Sequence, residues 1–161
     1  MTPRSPKHRT GSALIQSWWP LTLGDATLFT VFLFCDLFLI GLHRLSKGKS
    51  EELRGSQDQR LMELYYARSI KMINKAIQDP ARAVSDTVIL SVFCMSCNSP
   101  DLVMGHWDKS LFHPPLQSLQ LLDVFGTLLP DRIHLNGLIR IIMLRGGLEN
   151  IKLPGLAAVI S

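Results

Sequence analysis

Apolar side chains recur at the spacing of an α-helix through most of this sequence, and no stretch shows the sustained alternation of a half-buried strand. In the clearest segment, which follows Ser56, apolar residues fill one half of a helical wheel, while Glu63, Arg68 and Lys71 lie on the other half. Such a one-sided pattern is typical of a helix that packs on a core. The pattern predicts five helices and the start of a sixth, at residues 26–45, 57–78, 88–97, 116–129, 132–145 and from 154 onward.

Residues that start and end helices bound these segments. A side-chain oxygen that can cap the first turn precedes four of them. The predicted caps are Asp25, Ser56, Ser85 and Asp131. At the other end of the 132–145 helix, Gly146 and Gly147 can adopt the left-handed backbone that ends a helix, and Arg145 places a positive charge there. Pro154 then opens a further helical start.

The segment 26–42 is apolar enough to support two interpretations. Asp36 is its single charged side chain. A membrane-spanning helix needs about 20 apolar residues, and a central aspartate costs about 3 kcal/mol on insertion. We therefore expect a core helix that is buried on most sides, with Asp36 facing solvent or a partner at one edge. A small membrane-anchored protein with a single span at 26–42 is the alternative.

Composition agrees with one folded domain. The 161 residues are 47% apolar, which is ample for a core. Arg4, Lys7 and Arg9 have no acidic neighbour, so residues 1–17 are expected to form a disordered basic tail. The formal net charge of the chain is +4, and basic and acidic residues nearly balance one another outside this tail. A tail with three cations contacts nucleic acid or an anionic membrane only weakly. The helical domain is expected to cover residues 18–161.

Candidate chemistry is sparse. Cys94 and Cys97 form a C-x-x-C motif, but zinc needs four ligands, and the third cysteine, Cys35, is distant in sequence. Buried free thiols in a reducing compartment are the expected state, with a redox dithiol as the alternative. No phosphate-binding or nucleophile motif occurs. We therefore expect no enzyme, no catalytic residue, no cofactor and no metal.

Four strings of residues follow one another along the chain in a familiar order. The first is a Trp-Pro-Leu string that leads to Asp25, and the second, D-P-x-x-A-x-S-D, covers 79–86. The third, P-L-x-S-L-Q-x-L-D-x-x-G-x-L, covers 115–128. The fourth begins at His134 and consists of H-x-x-G-L, L-R-G-G-L and L-P-G-L-A in succession. Together they resemble the regulatory region of fungal binuclear zinc-cluster transcription factors. The family-motif positions are Trp19, Pro20, Asp25, Asp79, Pro80, Ser85, Asp86, Asp123, Gly126, His134, Gly137, Leu138, Arg145, Gly146, Gly147, Pro154 and Gly155.

The resemblance implies an all-α, irregular helical bundle that tunes transcriptional activation through intramolecular or partner contacts. It implies a nuclear location, whereas composition alone allows the cytoplasm or, for the span alternative, a membrane. The six-cysteine cluster that reads DNA in this family is missing, because three cysteines cannot hold two zinc ions. Relatives continue past the position of Ser161, so a truncated domain is expected. Its uncovered helix faces would bind a protein partner or a second copy, without specific nucleic-acid binding.

Overall fold

The computed structural model describes residues 10–47, 56–98 and 131–161. Within these ranges the chain forms an irregular bundle of helices without a strand, which confirms the all-α class. A 3-10 turn at Leu148–Asn150 joins the last two helices. The α-helices are α1 (Thr10–Gly24), α2 (Ala26–Ser46), α3 (Gln57–Ile77), α4 (Pro80–Ala83), α5 (Asp86–Cys97), α6 (Arg132–Arg145) and α7 (Leu156–Ile160).

The predicted caps account for where four of these helices begin. Asp25 Oδ1 accepts hydrogen bonds from the backbone N–H groups of Thr27 at 2.8 Å and Leu28 at 3.0 Å, at the start of α2. Equivalent bonds begin α3, α5 and α6. The residues that accept them are Ser56, Ser85 and Asp131. Each such cap contributes about 1 kcal/mol to helix stability.

Helix α2 lies in the core, packed against α1, α3 and α5. Its Phe34, Phe38 and Leu42 are fully buried, and the ring of Phe34 lies 5.3 Å from that of Tyr66 on α3. Neighbours on several sides explain why α2 is apolar around most of its circumference, and each buried side chain of this size contributes about 2 kcal/mol. Asp36 is exposed, as predicted.

Helix α6 packs on α5 through the buried Leu138 and Ile141. Gly146 and Gly147 follow its last residue with φ angles of +92° and +116°. Their N–H groups donate to carbonyl oxygens of the last turn, each at 3.0 Å. Side chains other than glycine adopt this backbone at a cost, so the predicted double-glycine stop is confirmed.

Helix α1 has no counterpart among the predicted elements. Pro20 lies inside it, where a proline removes one backbone donor. Because α1 begins at Thr10, the boundary that we placed after residue 17 falls within a helix. Residues 1–9 of the predicted tail lie outside the described residues.

Three further differences concern the rest of the chain. The short helix α4 was not anticipated between the two larger ones that flank it. Helix α7 begins at Leu156, after Gly155 with φ +80°, and not at Pro154. Leu156 is fully buried, so the start of this helix already has the neighbour that its apolar sequence requires. The predicted helix at 116–129, with Asp123 and Gly126, lies outside the described residues.

Candidate interaction surface

Arg145, at the carboxyl end of α6, joins three segments of the chain. Its Nη2 lies 2.7 Å from Asp86 Oδ1. Its Nη1 donates to the carbonyl oxygen of Val84, and its Nε donates to that of Asn150 at 2.9 Å. Only 14% of the side chain is exposed. These contacts use the planar fork of donors that distinguishes arginine from lysine, so one side chain holds the loop before α5 and the turn after α6 together.

Asp86, in the first turn of α5, is the anionic partner of this contact. Its second oxygen, Oδ2, accepts a hydrogen bond from the backbone N–H of Lys152 at 3.2 Å. A carboxylate at this end of a helix also interacts favourably with the helix dipole. Asp86 and Arg145 come from two different strings among the four described above, so these two strings meet in space.

Asp25 has two partners. While Oδ1 caps α2, Oδ2 accepts a hydrogen bond from Arg82 Nη2 at 3.1 Å. The side chain of Arg82 is 47% exposed, so this ion pair contributes at most about 1 kcal/mol. The contact nevertheless places the junction of α1 and α2 beside α4.

Trp18 connects the N-terminal helix to the C-terminal segment. Its indole Nε1 donates to the carbonyl oxygen of Pro154 at 2.9 Å. Its neighbour Trp19 is the motif position of the resemblance, and the side chain of Trp19 is 53% exposed. Local sequence patterns contain no sign of the bond of Trp18, because its partner is a backbone carbonyl far along the chain.

The other motif positions near the N-terminal half have local roles. Pro20 lies within α1 and is exposed. Asp79 caps α4, since its Oδ1 accepts from the N–H of Ala81 at 3.0 Å, and Pro80 is the first residue of that helix, where a missing N–H costs nothing. These positions shape the chain between α3 and α5 and bring no reactive group into a shared site.

His134 and Gly137 on α6 also show no sign of chemistry. His134 Nδ1 lies 3.1 Å from Asp131 Oδ2, and its imidazole meets the Tyr66 ring edge-on at 6.4 Å. Burial acts to raise the pKa of Asp131, but hydrogen bonds from the backbone N–H groups of Ile133 and His134 outweigh it and lower that pKa.

Gly137 has no atom within 4 Å of the position that a Cβ would take. Packing therefore does not require a glycine there.

Helix α6 has a second face that the described helices leave uncovered. At 100° per residue, the exposed residues lie opposite the buried Leu138 and Ile141. Ile133 is 81% exposed, Leu144 is 77% exposed and Met143 is 71% exposed. We call this surface the outer face of α6, and it consists of Arg132, Ile133, Asn136, Ile139, Arg140, Met143 and Leu144.

The outer face of α6 combines four apolar side chains with two guanidinium groups and the amide of Asn136. Isolated exposed apolar residues are ordinary on a protein surface, but Ile139 and Met143 are one helical turn apart with Leu144 next to them, and such a group on one helix face marks a site of interaction. Arginines among them suit carboxylates, which they bind with two parallel hydrogen bonds. The helical spacing of the sequence predicts that Leu135, Leu138, Ile139 and Ile142 share one face, with Asn136 and Arg140 turned away. In the structure Leu138 is buried and Leu135 and Ile142 are half-buried, whereas Ile139 is 43% exposed and lies on the outer face.

The C-x-x-C motif does not belong to a metal site in the part of the chain that the structure describes. No group of three or more His, Cys, Asp or Glu side chains within those ranges is arranged to hold a metal ion. All three cysteines are free thiols. Cys35 and Cys94 are half-buried, whereas Cys97 is exposed, so the expectation of buried thiols is wrong for Cys97.

No protein-family model, no curated protein and no solved structure matches this chain.

Proposed function

We propose that this chain is a protein-binding helical domain, similar to the regulatory region of fungal zinc-cluster transcription factors, that acts through contacts with other proteins. The outer face of α6 is the observation that carries the proposal, because it presents adjoining apolar side chains to solvent. The contact of Asp86 with Arg145 is a second support, since it gives two of the resembling strings a common structural purpose. A nuclear location is part of the same proposal.

The chemistry of the outer face selects a partner class. Arg132 and Arg140 are exposed and lie about 12 Å apart along the helix axis. The apolar residues of the face extend over about three helical turns, with Asn136 between Ile133 and the group formed by Ile139, Met143 and Leu144. An amphipathic helix with an apolar stripe bordered by Asp or Glu matches both features. We therefore assign the face to an acidic, amphipathic helical segment of a partner protein.

Fluorescence anisotropy with two designed peptides tests this assignment. Both peptides carry the same leucine stripe, and one has glutamates on its flanks where the other has lysines. The domain is expected to bind the acidic peptide at least about tenfold more tightly, because only that peptide pairs with the two arginines. Equal affinity for both peptides, or no binding of either, contradicts the proposal.

Matched variants locate the binding face. Replacing Ile133 and Leu144 together by serine removes two highly exposed side chains from the outer face, and is expected to weaken peptide binding about tenfold. Leu64→Ser serves as the control, because Leu64 is 59% exposed on α3, outside that face. An equal loss in the control means that binding is non-specific and defeats the assignment.

A further part of the proposal concerns sequence-specific binding of DNA. We propose that the chain does not read DNA by itself, because it has too few cysteines for the zinc cluster that does so in the family it resembles. A gel-shift experiment at physiological salt is expected to show no tight, sequence-specific complex. A stable complex with one duplex that survives excess random duplex contradicts this part of the proposal.

A second candidate function, a membrane-anchored protein, is favoured by one observation. Among the described helices, Ala26–Leu45 is long and apolar enough to cross a membrane, a test that core helices of soluble proteins also pass. Alkaline carbonate extraction of membranes from expressing cells separates the two candidates. Release into the supernatant is expected for the protein-binding domain, and retention in the pellet with integral proteins favours the anchor.

A further inference from the structure

Helix α2 has an apolar face that the described helices leave partly uncovered. Phe29 is 40% exposed, Ile40 is 45% exposed, and Leu33 between them is half-buried. Asp36 is exposed on the same side, because residues three and four positions apart are neighbours on a helix surface. We call the surface formed by these four residues the open face of α2. Only 44% of the most apolar stretch of α2 is buried, so packing within one copy does not account for its whole apolar surface.

The open face of α2 and the outer face of α6 carry opposite charges. Asp36 is the acidic residue of α2, and the basic residues of that helix, His43 and Arg44, lie in its last turn. Helix α6 contains no acidic residue, and Arg132 and Arg140 lie on its outer face. The outer face of α6 against itself would offer its arginines no carboxylate. Charge complementarity therefore favours the pairing of the α6 face with the α2 face.

The two faces also agree in the spacing of their residues. On α2 the aspartate lies seven positions after Phe29 and four before Ile40. On α6, Arg140 lies seven positions after Ile133 and four before Leu144. From its first to its last apolar residue, each face is about 16 Å long. When the two helices lie side by side in the same direction, the aspartate meets the arginine and the apolar ends meet each other.

We propose that two copies of this chain associate head to tail, with the open face of α2 of one copy on the outer face of α6 of the next. Asp36 of the first copy pairs with Arg140 of the second, between apolar contacts on either side. Within one copy both faces are exposed, so they do not cover each other. The inference rests on the proposed function, because it names a second copy as the occupant that a partner helix displaces from α6.

A contact between two different faces has a consequence for assembly. Each end of a pair still presents one unused face, so further copies add until a ring closes or a filament forms. Two helix faces form an interface at the small end of the specific range, and a dissociation constant on the order of 10 µM is expected. Self-association at high concentration then competes with partner binding at the outer face of α6.

Analytical ultracentrifugation of the full chain in detergent-free buffer tests the proposal with two double variants. One carries Asp36→Lys with Ile40→Ser, and the other carries Ile133→Ser with Leu144→Ser. The unmodified chain is expected to gain mass with concentration, whereas each variant alone associates at least about tenfold more weakly. An equimolar mixture of the two is expected to form a complex of two chains and no larger species, because it has only one intact contact.

Leu64→Ser is the matched control, since Leu64 is 59% exposed on α3, and it should associate as the unmodified chain does. An unmodified chain that is monomeric at every concentration overturns the proposal. So does unchanged association of either double variant alone, or a mixture that forms no complex. A chain that stays monomeric in buffer but floats with phosphatidylserine-containing liposomes has lipid on its α2 face, which also overturns it.

The acidic peptide separates this inference from the proposed function. If a chain that stays monomeric binds the peptide, the head-to-tail contact alone is wrong. If the chain neither associates nor binds the peptide, the proposed function fails as well. If both occur, the peptide is expected to dissociate the assemblies, and assemblies that persist at saturating peptide contradict a shared face on α6.

A charge exchange tests the register with two single substitutions of exposed residues. Asp36→Lys and Arg140→Glu are each expected to weaken association about tenfold, because each places like charges opposite one another. Their equimolar mixture is expected to regain the affinity of the unmodified chain, since lysine then meets glutamate and aspartate meets arginine. Circular dichroism verifies that both variants fold. A mixture that associates no better than either variant alone overturns the pairing of Asp36 with Arg140 and the proposal with it.

Discussion

Gly137 and Gly146 belong to the same helix and its end, yet only one of them needs to be a glycine. Gly146 has a φ of +92°, a backbone that other residues adopt with strain. Gly137 lies inside α6 with open space where a Cβ would be. Both are motif positions of the resemblance, but the sequence predicts a left-handed backbone only at Gly146. The backbone angles confirm that prediction, and the space around Gly137 shows that packing does not require a glycine there.

Substitution of the two glycines by alanine is expected to act in opposite directions. Gly137→Ala should raise the free energy of unfolding by about 1 kcal/mol, since alanine favours the helix and meets no atom. Gly146→Ala should lower it by about 1 kcal/mol or more. Urea denaturation followed by circular dichroism measures both. A destabilising Gly137→Ala would show that something packs against this position.

The fold depends on the guanidinium group of Arg145 and not on its positive charge alone. Arg145→Ala is expected to lower the free energy of unfolding by about 3 kcal/mol, because it leaves the largely buried Asp86 without its partner. Arg145→Lys should recover less than half of this loss, since an ammonium group cannot reach Asp86, Val84 and Asn150 together.

Arg140→Ala is the matched control for this series, because Arg140 is exposed on the same helix. Its effect should lie within about 0.5 kcal/mol of zero. Denaturation with urea measures all three variants. Full stability in Arg145→Lys would show that the three-way contact contributes nothing beyond one positive charge.

At the scale of the element, four of the larger helices could be predicted from sequence, because an apolar pattern follows a side-chain cap in each. The four-residue α4 also begins with a cap, at Asp79, but is too short for such a pattern and was not anticipated. Asp25, Ser56, Ser85 and Asp131 each cap the helix expected of them. Helix α1 has an internal proline, and α7 is a single short turn seated by the burial of Leu156. Their stability comes from contacts with other elements, which local patterns do not contain.

Helix α2 is the element on which the two candidate functions disagree. Asp36 is exposed on it, so Asp36→Leu should change the free energy of unfolding by less than about 0.5 kcal/mol and leave the protein in the carbonate supernatant. If the segment meets lipid instead, removal of this charge strengthens insertion by about 3 kcal/mol. A shift of the variant from the supernatant to the pellet would contradict the core assignment.

A hydrogen bond of Trp18 joins α1 to the C-terminal segment. Trp18→Phe keeps an aromatic ring but removes the N–H that donates to Pro154, at a cost of about 1 kcal/mol. Backbone amides of α7 should then exchange hydrogen faster, whereas those of α5 keep their protection. Trp19→Phe is the control and should change neither. Unchanged exchange in α7 after Trp18→Phe would contradict the contact.

At the scale of the whole molecule, the sequence predicted the helical class but not the contacts that assemble it. Periodicity shows that a helix has an apolar side, and it does not say which neighbour covers that side. The meeting of Arg145 with Asp86, and that of Trp18 with Pro154, join residues far apart in the chain. Helix α6 has apolar residues on both of its sides, and Ile139, which its spacing groups with the buried Leu138, lies on the outer face.

The central claim is that α2 is covered by protein in water. A nuclear Overhauser measurement on the chain in detergent-free buffer tests it most directly, through the rings of Phe34 on α2 and Tyr66 on α3, whose centroids lie 5.3 Å apart. A cross-peak between the two rings is the expected result. Its absence in a folded sample, or its appearance only after detergent is added, would contradict the account.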